Sequence, residues 1–136
     1  MEPIEPIADG QPIDELGGAD PFVVTTRTDG AHTVLALTGE LDLDATTQLL
    51  AAVRQALAHT GAEAIELELH GLNFLDSSGL QALLTAHDEV EAAGIRFRVT
   101  TISMLAARVV DIAGLGHVLR PATDTPPDGS PLTADR

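Results

Sequence analysis

The chain has 136 residues, a net charge of −14, 44% hydrophobic residues and only 2% aromatics. That length suits one domain, whose core must be built from Leu, Val, Ile and Ala. There is no Cys, which excludes disulfides, thiolate metal sites and cysteine nucleophiles. No run of 18 apolar residues occurs and the N-terminus is acidic, so neither a membrane span nor a signal peptide is expected. A soluble, cytoplasmic, monomeric protein is the default.

The charge is unevenly placed. Residues 1–20 carry six carboxylates and no base, with Pro and Gly but no apolar periodicity, and read as a disordered acidic extension. Residues 121–136, with Pro121, Pro126, Pro127 and Pro131, read as a second disordered tail. The folded domain is expected over residues 21–120. All seven basic residues are Arg, and so acidic a body argues against nucleic acid as a partner.

Within the domain, 22–28 and 33–38 are β-rich segments joined by a short loop holding Asp29-Gly30, which predicts a hairpin. The 45–58 stretch is helical, with Leu49, Leu50, Val53, Ala56 and Leu57 on one face. Ile65-Glu66-Leu67-Glu68-Leu69 alternates as a strand, followed by the apolar run Leu72-Asn73-Phe74-Leu75. A second helix is expected over 78–93, with Leu80, Leu83, Leu84, His87 and Val90 inward and Gly94 closing it. Ile95-Arg96-Phe97-Arg98-Val99 alternates again, 103–113 forms a third helix, and 117–119 is read as a last short strand.

The order ββαβαβα(β) predicts an α/β fold with a mixed sheet. Strands covered on both faces read as continuous apolar runs, and these alternate. Helices should therefore cover mainly one face. If the third and fourth strands are neighbours, Glu66 and Glu68 can pair with Arg96 and Arg98 on the open face.

Loops at the carboxyl ends of parallel strands share one sheet edge. That brings Gly39-Glu40-Leu41-Asp42 together with Asp76-Ser77-Ser78-Gly79. The latter stands where a strand turns into a helix, whose first turn has unpaired N–H groups and suits an anion such as phosphate. Taken alone, Ser77 and Ser78 read first as capping and turn residues, with a phosphoacceptor as the alternative. Asp44 and Ser103 read as simple caps, Met104 and Leu105 as core contacts, His70 as a loop residue, and His87 as a helix-packing residue. No metal-ligand spacing appears among the histidines, and no cofactor is implied.

Two catalytic patterns fail. Asp42-Leu43-Asp44-Ala45-Thr46 matches the D-x-D-x-T nucleophile motif of haloacid-dehalogenase-like phosphatases, in which paired carboxylates hold magnesium. That chemistry also needs a downstream Lys, and the chain has none. A serine hydrolase lacks its G-x-S-x-G and a placed His. A non-enzyme is expected.

Three segments together resemble the STAS domain, and more narrowly the bacterial anti-sigma factor antagonists. They are Leu37-Thr38-Gly39-Glu40-Leu41-Asp42, Leu72-Asn73-Phe74-Leu75-Asp76-Ser77-Ser78-Gly79-Leu80, and Ser103 through Arg108 to Asp111-Ile112-Ala113-Gly114-Leu115. The third helix often begins Ser-Pro in that family, and here it begins Ser103-Met104. The resemblance implies a partner-switching protein that binds an anti-sigma serine kinase of the ATPase fold and so frees a sigma factor. It implies phosphorylation at Ser77 as the off-switch and a PP2C-like phosphatase as the reset. By position, Gly39, Glu40, Asp42, Asp76, Ser77, Ser78 and Gly79 form the partner-binding surface. The alternatives are a STAS scaffold or transporter-associated subunit without phosphoswitching, and, furthest from the pattern, a magnesium-dependent phosphatase using Asp42 and Asp44.

Overall fold

The computed structural model of the protein describes residues 20–59 and 61–121. The two acidic tails expected from the sequence lie almost wholly outside the described residues. Four strands form one sheet in the order β1-β2-β3-β4. They are β1 (Val23–Asp29), β2 (His32–Leu41), β3 (Ala64–Leu75) and β4 (Arg96–Ile102). β1 and β2 are the expected antiparallel hairpin, turning at Gly30, while β2, β3 and β4 run parallel. The helices between them are α1 (Thr46–Leu57), α2 (Ser77–Ala92) and α3 (Met104–Ile112), followed by a single turn, α4 (Gly116–Leu119).

The alternation within β3 and β4 decides how the layers stack. Ile65, Leu67 and Leu69 of β3, with Phe97 and Val99 of β4, are buried under the helices together with Leu35 and Leu37 of β2. From the helical side, α1 contributes Leu49, Val53 and Ala56, and α2 contributes Ala82, Leu83, Ala86 and Val90. Each fully buried Leu or Val is worth about 1.5–3 kcal/mol relative to exposure. A core of this size, aliphatic but for Phe97, therefore needs few aromatics.

The opposite sheet face carries ion pairs, in a different pattern from the simple Glu–Arg ladder. Glu66 does face Arg98, at 3.8 Å, but its shorter partner is His32 at 2.7 Å. Glu68 is taken by Arg27 of β1 through two hydrogen bonds of 3.1 and 2.7 Å. Glu68 lies opposite Thr101, past a register shift after Leu67, while Arg96 and Arg98 of β4 stand opposite Ala64 and Glu66. Arg96 remains exposed, while Glu66, Glu68 and Arg98 are half-buried by their partners instead of largely exposed.

Four further expectations need correction. The 117–119 segment is helical, because Val118 and Leu119 both donate their amides to the Leu115 carbonyl and so satisfy themselves locally. His70 belongs to β3, which continues through Gly71 into Leu72–Leu75, and its Nδ1 lies 2.8 Å from Thr101 Oγ1. Met104 is 81% exposed and Leu105 is also exposed, because α3 turns Ala106 and Val110 inward. Asp44 caps nothing: the 3-10 turn Leu43–Ala45 is capped by Asp42. Ser103 is the N-cap of α3, as expected, accepting from the Ala106 amide.

Gly94 terminates α2. Its φ of +79° allows its own amide to reach the Glu91 carbonyl and that of Ile95 to reach Val90. This pair of bonds closes the helix and turns the chain straight into β4. His87 packs edge-on against Phe97, with ring centroids 5.2 Å apart, which fits its role as a helix-packing residue.

Candidate functional site at the carboxyl edge of the sheet

Because β2, β3 and β4 are parallel, the segments leaving them emerge on the same edge. After β2 the chain passes through Asp42, whose Oδ1 accepts from the Ala45 amide at 3.1 Å. After β3 it passes through Asp76, whose Oδ1 accepts from the Gly79 amide at 2.9 Å, while the Asp76 carbonyl takes the first helical bond from Leu80. Asp76 is thus the N-cap of α2, and Ser77 is its first helical residue. The capping reading of Ser77 and Ser78 passes to Asp76.

Ser77 is exposed, Ser78 is half-buried, and Glu40, Asp42 and Asp76 are half-buried. Gly39 and Gly79 are buried, so whatever they contribute to a contact surface they contribute through backbone shape. Gly39 has a φ of +91°, and a Cβ on it would lie 2.1 Å from the Pro21 carbonyl oxygen. Gly79 lets α2 approach β2: a Cβ there would lie 2.3 Å from the Leu41 carbonyl oxygen and 2.9 Å from Leu75 Cδ1.

Two grooves lie beside the Asp42 and Ser77 segments of this edge. One, of about 340 Å³, is walled by Asp20, Glu40, Asp42 and Asp44 beside Phe22 and Gln48. The start of the domain is fixed there, with the Asn73 amide donating to the Asp20 carboxylate and Gln48 donating to the Phe22 carbonyl at 3.0 Å. The other groove, of about 540 Å³, runs between α1 and α2 and has Ser77 and Ser78 on its wall together with Leu43. Asp42 and Ser77 therefore stand on one surface, joined by Leu43. Among the described residues, no group of three or more His, Asp or Glu is arranged to hold a metal ion. The same residues contain no helix long and apolar enough to cross a membrane.

Gln81 and Thr85 were not singled out by sequence reasoning, and Leu43 and Thr46 entered it only through the rejected D-x-D-x-T pattern. Strand alternation would place Leu43 on the same face as buried Leu41, but the Asp42 cap starts a helical turn there and Leu43 is 68% exposed.

A four-stranded mixed sheet whose helices leave an accessible Asp-Ser-Ser-Gly turn at its parallel edge is the architecture of a STAS domain. The family model described as "Mlab, STAS domain" matches residues 24–121, and the chain belongs to that family. Among its relatives is an anti-sigma F factor antagonist of Lysinibacillus sphaericus, 34% identical over 91 residues, which are 67% of this chain and 78% of the relative. The fold is similar to the anti-sigma factor antagonist SpoIIAA solved in its unphosphorylated form, with a TM-score of 0.60 and 28% identity over 73% of this chain and 85% of that one. It is also similar to the Bacillus cell fate determinant SpoIIAA in the phosphorylated form, with a TM-score of 0.56 and 28% identity over 73% and 88% of the two chains.

Proposed function

We propose that this protein is an anti-sigma factor antagonist and not an enzyme. In its unphosphorylated form it binds an anti-sigma serine kinase of the ATPase fold in the cytoplasm and frees a sigma factor. Phosphorylation of Ser77 switches it off, and a PP2C-like phosphatase restores it. The observation that carries this reading is the placing of Ser77 as an exposed first residue of α2, directly after the Asp76 cap. The likeness to a relative solved in both unphosphorylated and phosphorylated forms supports it.

Transfer joins Ser77 Oγ to the γ-phosphorus of ATP, breaks the bond from that phosphorus to the β,γ-bridging oxygen, releases ADP and loses the hydroxyl proton. The added charge is about −1.5 to −2. At a helix N-terminus such charge is favourable by about 0.3–1 kcal/mol, so the domain stays folded. Against a negative group on the partner about 6 Å away, at an effective dielectric of about 20, each unit of charge costs about 3 kcal/mol. That is about a hundredfold in affinity, enough to release the partner without a conformational change.

The test is capture from the native cytoplasm with wild type, Ser77→Ala and Ser77→Asp as baits. An ATPase-fold kinase retained by wild type and Ser77→Ala, and lost with Ser77→Asp, is the expected result. Capture of such a kinase by none of the three overturns the reading.

A further inference from the structure

The groove between α1 and α2 is distinct in chemistry from its neighbour. Leu43, Thr46 and Leu50 line one side, and Ser77, Gln81 and Thr85 the other. No charged side chain lines it, although the chain carries a net charge of −14 and the adjoining groove is walled by four carboxylates. Leu43, the most exposed leucine of the described core-forming segments, stands at its mouth at 68% exposure. α1 and α2 are clamped to each other by the bidentate Arg54–Glu89 pair, with bonds of 3.0 and 2.7 Å. This pair lies beyond the groove, on the same two helices that wall it.

Resting on the antagonist reading above, we infer that this groove seats an uncharged, apolar segment of the anti-sigma factor, flanked by basic residues that meet Asp42 and Asp44. The charge pattern selects that occupant. An acidic segment is repelled by the carboxylate wall, and a basic one inside the groove finds no counter-charge, whereas apolar side chains gain by covering Leu43 and Leu50. Ser77 lies on the wall of the uncharged groove. A phosphate on its Oγ must then lose water against apolar partner atoms as well as meet like charge, so release has a part that salt does not screen.

The experiment measures binding of the purified anti-sigma factor by calorimetry from 50 to 500 mM NaCl. It compares wild type, Leu43→Ser, Thr85→Lys, Asp44→Asn and the Ser77-phosphorylated protein. Leu43→Ser and Thr85→Lys should each weaken binding at least tenfold while keeping the wild-type salt dependence. Asp44→Asn should flatten that dependence. Phosphorylated protein should stay at least tenfold weaker at 500 mM NaCl. Unaltered melting temperatures for Leu43→Ser and Thr85→Lys, both surface changes, keep the comparison on binding. If wild type binds and both groove variants bind equally well, the groove assignment is overturned while the antagonist reading stands. If wild type binds no anti-sigma factor, both fall.

Discussion

Asp42 and Asp76 perform the same local task at the ends of two adjacent parallel strands. Each accepts, through Oδ1, the amide three residues on, Ala45 at 3.1 Å and Gly79 at 2.9 Å. Residues that the family resemblance marks for recognition are therefore also structural caps, and substitutions must be chosen to separate the two roles.

Asp76→Ala should cost about 1 kcal/mol of stability by losing the cap, whereas Asp76→Asn should stay close to wild type, since Asn caps nearly as well. A partner affinity that falls for Asn as well as Ala assigns the carboxylate charge to recognition. Equal affinity for wild type and Asn in a calorimetric titration would leave Asp76 a cap alone.

Ser77→Ala should change stability by less than about 0.5 kcal/mol, because Ser77 is exposed and Asp76 supplies the cap. Urea denaturation measures this directly. A loss near 1 kcal/mol would return Ser77 to a capping role. Incubation with kinase and ATP should add one phosphate to wild type and none to Ser77→Ala, read by intact mass.

Gly79→Ala should be the most damaging to the fold of substitutions in the Asp-Ser-Ser-Gly turn. Its Cβ would fall within 2.3 Å of the Leu41 backbone oxygen, which cannot rotate away. Forced overpacking of this kind costs about 1–3 kcal/mol. A mutant melting at the wild-type temperature would contradict the close approach of α2 to β2.

Acid sensitivity should trace in part to Glu68. The hydrogen bonds from Arg27 hold its carboxyl below the ordinary value, against an opposing effect of burial, and Arg54 does the same for Glu89. Both carboxyls bind protons less readily folded than unfolded. Their contribution is therefore present above about pH 4.3, the ordinary Glu value, and is lost as pH falls through the lower folded value. Arg27→Gln should lower stability near neutrality and bring the two curves together in strong acid. Parallel curves from pH 7 to pH 3 would refute this.

Period-two alternation read the buried face of β3 and β4 correctly, since burial of Leu67, Leu69, Phe97 and Val99 follows from it. The edge that gathers Asp42 and Ser77 followed from parallel topology. What the sequence could not carry was register. The pairing sets Glu66 opposite Arg98 but Glu68 opposite Thr101, and Glu68 finds its partner in Arg27, 41 residues away. Helix phase was equally hidden at α3, where Met104 fits an apolar stripe on paper but the Ser103 cap starts the helix with Ala106 and Val110 inward. The α1–α2 groove was hidden because Thr46, Ser77, Ser78, Gln81 and Thr85, most of its lining, carry no periodic signal.

The contact of Pro21 with Gly39 has a practical side. Asp20 and Pro21 border the carboxylate-lined groove, so the first described residues of the domain lie on the side that the proposed function gives to the partner. A purification tag, fluorophore or fused protein joined directly to Asp20 would start beside Asp42 and Asp44 and, on that proposal, should compete for the approach. Assays of association should carry the label elsewhere, for example on exposed Gln55 after substitution with Cys. The chain has no Cys of its own to confuse the chemistry.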